Sequence, residues 1–180
     1  MLNTIPNWIT MARVLSVPLV MYLILSESFA GRILAVILFF MAAVSDAVDG
    51  YIARNLKQTS VFGKFADPIA DKLLISGALI ALVQLGELTA AVVMTLVARE
   101  FLVTGLRIVA IHEGQVISAS ILGKLKTISH VVLILIVLAA RTFSFGSIGP
   151  IAKSLALILA VAMSIISGAE YFYRSRRLFI

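Results

Sequence analysis

Four aspartates hold most of the chemistry this chain could perform. Asp46 and Asp49 stand in Asp46-Ala-Val-Asp49-Gly50-Tyr-Ile-Ala53-Arg54, and eight residues later Gly63-Lys-Phe-Ala-Asp67-Pro-Ile-Ala-Asp71 supplies the other two. No aspartate occurs elsewhere in the 180 residues. At about 100° per residue, Asp46, Asp49, Gly50 and Ala53 share one helix face. Asp67 and Asp71, spaced i and i+4, share a face on the helix that follows. A short polar link makes the two helices neighbours, so the four carboxylates can converge. Carboxylates gathered in an apolar chain are costly, and they repel one another unless something positive lies between them. Oxygen donors in this number suit a hard divalent cation, Mg²⁺ or Mn²⁺. Gly50 and Ala53 lack bulk and leave room beside such ions for a flat group or a phosphate. Arg54, Arg99, Arg107, Lys124 and Lys126 bring positive charge towards the same side. Metal ions and cations beside small residues describe a site for phosphoryl chemistry. A helix-end anchor paired with Lys or Arg would explain one aspartate; it does not explain four at this spacing.

The elements that carry these residues are apolar. The chain is 61% hydrophobic, against roughly 45–50% in a soluble domain, and its mean hydropathy is +1.09. Several continuous runs approach the ~20 residues needed to cross a hydrocarbon core, and none alternates as a β-barrel strand would. The expectation is an all-α integral membrane protein: one transmembrane catalytic domain over 1–180, with six transmembrane helices at about 7–26, 32–53, 66–86, 89–111, 124–140 and 150–173. Pro6-Asn7 suits the first helix start, and Trp8 suits a membrane interface. Pro68 is acceptable if it lies in the first turn of the third helix. The absence of cysteine excludes disulfides and thiolate metal sites. No basic residue precedes Arg13, so a removable signal peptide is not expected. The net charge of +6 fits anionic lipid and anionic substrates rather than nucleic acid. Six crossings put both termini on one side, together with Arg54, Lys57, Lys64, Lys72, Arg107, Lys124, Lys126, Arg174, Arg176 and Arg177. The opposite turns hold Arg32, Arg141 and Lys153. The positive-inside rule then sets both termini and the aspartate window at the cytoplasmic face.

The combined pattern D-x-x-D-G-x-x-A-R, eight residues, G-x-x-x-D-x-x-x-D resembles the motif of the CDP-alcohol phosphotransferases. Asp46, Asp49, Gly50, Ala53, Arg54, Gly63, Asp67 and Asp71 match it without a gap. The resemblance implies a six-helix membrane fold that transfers the phosphoryl-alkyl part of a CDP-linked substrate to an alcohol. It implies that Asp46, Asp49, Asp67 and Asp71 hold two divalent ions, Mg²⁺ or Mn²⁺, and that Asp71 is also the general base. Gly50, Ala53, Arg54 and Gly63 would serve the cytidine and diphosphate, with Asn7, Thr10 and Arg13 of the first segment beside them. Family members resemble homodimers, and the small-residue patches Ser76-Gly77-Ala78 and 164–168 are candidate contacts or close-packing sites.

The second half resembles the bacterial phosphatidylglycerophosphate synthase subgroup, through 98–107, Gly123-Lys124-Leu125-Lys126-Thr127 and 167–173. That likeness implies CDP-diacylglycerol as donor and sn-glycerol 3-phosphate as acceptor. The products would be phosphatidylglycerol phosphate and CMP, at the bacterial cytoplasmic membrane. The acceptor is a small dianion and needs cations. Arg99 and Arg107 lie about 80° apart around one helix, and Lys124 and Lys126 open the next. Arginine grips phosphate with two N–H groups, and lysine adds a point charge. Glu100 projects about 100° from Arg99 on the same helix, which predicts a poor partner. His130 reads as a packing or interhelical hydrogen-bonding residue. The motif itself leaves other acceptors open: phosphatidylglycerol (a cardiolipin synthase), inositol phosphate or serine. A divalent-cation transporter is the rival of a different class. It predicts acidic groups near mid-bilayer, against the clustering at one face and the absence of an internal repeat.

Overall fold

The computed structural model describes residues 5–55, 61–113 and 120–176, with side chains described for these except 5–7, 9, 46–55, 61–68, 71 and 111. Among the described residues the chain is all helical, with six helices in sequence: α1 Ile5–Leu25, α2 Phe29–Asn55, α3 Val61–Gln84, α4 Ala90–His112, α5 Ile121–Thr142 and α6 Ile148–Arg174.

Several helix ends have local causes. Ser28 Oγ accepts from Gly31 N at 3.0 Å, which starts α2 at Phe29 rather than 32. Ser120, extended at φ −83°, accepts from Gly123 N at 3.0 Å and caps α5, which starts at Ile121 rather than 124. Both are serine N-caps that satisfy an orphan amide of the first turn. Gly86, at φ 71°, closes α3 in the left-handed conformation that glycine adopts without strain. The expected placement of Pro68 is corrected. Because α3 begins at Val61, the proline lies beyond the first turn, where it removes one main-chain donor from the helix. Helix α1 carries an internal proline too, Pro18.

The helices pack as an interlocked set. α1 lies against α2 and α3, α2 against α3 and α5, α4 against α3 and α6, and α5 against α6. The central core joins Val20 and Ile24 of α1, Phe39 of α2, Leu74, Leu79 and Leu82 of α3, Leu96 of α4, and Leu133, Ile134 and Val137 of α5. Small residues let the backbones approach. A Cβ on Gly77 would sit 2.9 Å from Val17 Cγ1 and 3.1 Å from Met21 Sδ, so α1 and α3 meet where Gly77 has no side chain. Gly77, Ala78, Ser164, Ser167 and Gly168 are all buried within the chain. The small residues of both patches therefore serve packing inside the chain, while Ile165 and Ile166 of the second patch face outward.

The outer surface is apolar. Leu15 and Tyr22 are 72% exposed, and Leu34, Met94, Phe101 and Ile158 also face outward. α5 and α6 are each long and apolar enough to cross a membrane, while the described parts of α1, α2 and α3 hold the shorter apolar stretches Thr10–Leu25, Phe29–Ser45 and Lys72–Gln84. In water, so much contiguous apolar surface would be a liability; in lipid it is the expected exterior.

Candidate active site

Asp46 and Asp49 lie near the C-terminal end of α2, with Gly50, Ala53 and Arg54 after them on the same helix. Gly63, Asp67 and Asp71 lie in the first half of α3. α2 and α3 pack on each other, so the two halves of the aspartate window belong to neighbouring helices at one end of the bundle. The side chains of these eight residues, and of Asn7, lie outside the described residues. The donor set is nonetheless chemically uniform, with four carboxylates supplied by two packed helices, and it suits hard divalent cations.

The first helix reaches this window from the side. Thr10 and Arg13, one turn apart on α1, are buried, at 1% and 3% exposure. Arg13 Nη2 donates to Ser45 Oγ at 3.3 Å, and Ser45 immediately precedes Asp46. Arg13 is thus a buried cation next to the start of the acidic window. Trp8 is exposed. On the other side of the window Lys72 follows Asp71, and its ammonium donates to Thr104 Oγ1 at 2.6 Å. Thr104 Oγ1 in turn donates to the Glu100 carbonyl at 2.7 Å. The aspartate end of α3 is thereby tied to the polar face of α4.

That face of α4 carries the cations. Arg99 donates to Ser167 Oγ of α6 at 2.9 Å and to Glu100 Oε1 at 3.0 Å. Glu100 also pairs with Lys126 of α5, whose side chain is 3% exposed. The expectation that Glu100 is a poor partner for Arg99 is therefore corrected. Helical projection fixes only where the two side chains leave the helix. The long arginine then bends sideways into the α4–α6 seam, and Lys126 draws the carboxylate towards α5. Gly168 makes the seam possible, since a Cβ there would stand 3.3 Å from Arg99 Cγ.

Tyr171 of α6, which is 2% exposed, joins the remaining pieces. Its hydroxyl accepts from Arg107 Nη2 and from the Ser120 amide at 3.2 Å. The Arg107 guanidinium lies 4.9 Å from the ring centroid and that of Arg99 5.7 Å, within the range of cation–π attraction. One aromatic ring thus holds two arginines and the first turn of α5. Gly123 in that turn leaves space for the hydroxyl, which would lie 3.2 Å from an added Cβ. Arg99, Arg107 and Lys126 are gathered in one network. Lys124 is exposed on the first turn of α5. His130, one turn past Lys126, is 1% exposed, and neither ring nitrogen has a hydrogen-bond partner among the described residues. The sequence pointed to no role in the site for Tyr171 or Glu100, and only to a packing or contact role for Ser167. The available signal was a tyrosine, a glutamate and a serine in otherwise apolar helices that also carry arginine. Beside Arg99 a cavity of about 390 Å³ opens between α4 and α6, walled by Met94, Ala98, Leu102 and Phe172. Its lining is apolar except for Arg99 and Thr95.

Residues 3–166 match the family model described as CDP-alcohol phosphatidyltransferase. The chain belongs to this family. Among its relatives, the CDP-diacylglycerol--glycerol-3-phosphate 3-phosphatidyltransferase of Bacillus subtilis is 39% identical over 183 aligned positions, covering 95% of this chain and 94% of that protein. The protein of the same name from Rickettsia bellii is 32% identical, with 98% of each chain covered. A probable phosphatidylglycerophosphate synthase of Mycobacterium tuberculosis is 37% identical over 95% of this chain and 81% of its own. The family match takes in the acidic window and the α4 cations; Tyr171 of α6 lies beyond residue 166, within the longer stretch aligned with the Rickettsia bellii protein.

Proposed function

We propose that this protein is a membrane enzyme that transfers the phosphatidyl group of CDP-diacylglycerol to sn-glycerol 3-phosphate, releasing CMP and forming phosphatidylglycerol phosphate, the committed step towards phosphatidylglycerol. The observation that carries the reading is the match, over nearly the whole chain, to proteins named for that reaction. It is supported by the complete acidic motif and by the cationic network on α4, α5 and α6.

In this reading Asp46, Asp49, Asp67 and Asp71 hold two divalent ions, Mg²⁺ or Mn²⁺. When bound, such ions neutralise diphosphate charge and stabilise the departing CMP. Gly50, Ala53, Arg54 and Gly63 receive the cytidine and diphosphate, with Asn7, Thr10 and Arg13 closing that side. Arg99, Arg107, Lys124 and Lys126 recognise the phosphate of the acceptor, and Glu100 and Tyr171 hold three of those cations in place. The 1-hydroxyl oxygen of glycerol 3-phosphate forms a bond to the phosphatidyl phosphorus. The bond from that phosphorus to the CMP oxygen breaks, and the hydroxyl proton passes to the Asp71 carboxylate. The acyl chains stay in lipid, and the apolar cavity between α4 and α6 beside Arg99 offers them a path to the polar site.

The same reading makes all six helices membrane-spanning, with both termini and the acidic window on the cytoplasmic side of a bacterial membrane, and the working unit a homodimer. The excess of Lys and Arg at that end supports the orientation. A panel of acceptors tests the assignment. Membranes carrying the protein, given CDP-diacylglycerol and Mg²⁺, should release CMP with glycerol 3-phosphate. Release with phosphatidylglycerol, inositol phosphate or serine instead would assign another acceptor.

A further inference from the structure

The end of the molecule away from the aspartates carries a second polar site. α3 runs from the acidic window to Gln84, and Glu87 follows it. From Asp67 to Gln84 is about 26 Å of helix at about 1.5 Å per residue. There a cavity of about 240 Å³ is lined by Glu87, Arg141, Ser144, Gly146 and Lys153. Glu87 and Lys153 form an ion pair, which leaves the Arg141 charge in excess. Arg141 is anchored along one edge, where Nη1 donates to the Ile24 carbonyl and its own carbonyl accepts from Arg32 Nη1 at 3.3 Å. A second cationic group is thereby fixed beside it.

This polar cavity shares a wall with an apolar one. A groove of about 230 Å³ between α5 and α6 is lined by Ile136, Ala139, Ile148 and Ala152, and Ala140, Phe145 and Gly149 belong to both. Ile148, 70% exposed, stands at its outer edge. The dividing ring is held in place. Phe145 packs edge-on to Phe143 at 6.1 Å, and Phe143 packs on Phe29 at 6.4 Å. Gly146, at φ 52°, turns the chain between the two cavities.

A cationic pocket side by side with an apolar groove, with one ring between them, fits a molecule with a monoanionic head and a hydrocarbon tail. We propose that this end of the protein binds one anionic phospholipid from the surrounding leaflet. Its phosphodiester would sit by Arg141 and Ser144, and an acyl chain would lie along Ala139 and Ala152. The inference rests on the reading that the chain spans a membrane. It adds a lipid site at the face opposite the reaction.

A fluorescence titration tests it. Phe145→Trp on a Trp8→Phe background gives one tryptophan, at the shared wall. The purified full chain in neutral detergent is titrated with phosphatidylglycerol or phosphatidylcholine, each carrying brominated acyl chains that quench a touching indole. Phosphatidylglycerol should quench at about tenfold lower concentration than phosphatidylcholine, the scale of a charge-assisted hydrogen bond. Arg141→Gln should remove that difference, and inorganic phosphate should not compete. Ala152→Trp, made without Phe145→Trp on the same background, reports from the groove and should show the same lipid preference if the Arg141 variant fails to fold. Equal quenching by the two lipids, or displacement by inorganic phosphate, overturns the proposal. Recovery of the chain in the membrane fraction is scored separately. A chain that stays in membranes but quenches without preference sinks the lipid site alone, whereas a chain recovered outside membranes sinks the reading beneath it.

Discussion

Asp71→Asn keeps the shape of the side chain and removes its capacity to take a proton. If Asp71 is the base, turnover should fall by roughly a hundredfold to ten-thousandfold; single-turnover CMP release, with donor binding measured in parallel, checks this. Tyr171 and Arg107 make a graded pair. Arg107→Ala should raise the KM for glycerol 3-phosphate by roughly tenfold or more, as expected for lost charge-assisted hydrogen bonds of about 1.5–3 kcal/mol. Tyr171→Phe keeps the ring under both arginines and loses only the hydroxyl contacts to Arg107 and Ser120. It should raise the same KM by about fivefold, near 1 kcal/mol, with the KM for CDP-diacylglycerol unchanged. Steady-state kinetics with each substrate varied in turn separates these outcomes. The α4 arginines were legible in the sequence because charged residues are rare in apolar helices; the aspartate motif was legible as a pattern of local spacing, and its side chains lie outside the described residues. Tyr171 was not, because its partners lie 64 and 51 positions away. The Arg99–Glu100 contact was misread because a projection angle says nothing about where a long, flexible side chain ends.

At the scale of elements, the six helices build a frame around an apolar core, with the polar residues gathered towards its ends. Gly77 marks the tight contact of that frame between α1 and α3. Gly77→Leu would drive a large side chain into Val17 and Met21 across the α1–α3 seam. Overpacking of this kind costs about 1–3 kcal/mol, so the thermal midpoint in detergent should drop by several degrees. A midpoint equal to that of the unsubstituted protein would mean that α1 and α3 lie further apart. Helix number and order followed from the lengths of the apolar runs. The starts of α2 and α5 did not, since Ser28 and Ser120 lie among other polar residues, and only the backbone geometry picks out which serine caps. Pro68 misled in the opposite direction. A proline suggests a helix start, but a helix packed against α1, α2 and α4 continues past one lost hydrogen bond.

The whole molecule has two chemically different ends joined by apolar helices. One end carries the acidic motif along α2 and α3, with Arg13 arriving from α1 and the Arg99–Glu100–Lys126 and Arg107–Tyr171 contacts from α4, α5 and α6. The other end closes with the Glu87–Lys153 ion pair and the Arg32–Arg141 tie. The proposed transfer depends most on metal ions at the first end. Its most direct test is Mn²⁺ titration of the purified, EDTA-stripped protein, followed by electron paramagnetic resonance. Two ions should bind per chain, as in two-metal phosphoryl-transfer sites, with binding weakened in Asp46→Asn, Asp49→Asn, Asp67→Asn and Asp71→Asn. A stripped protein that binds no Mn²⁺, or four variants that bind it as the unsubstituted chain does, would contradict the account.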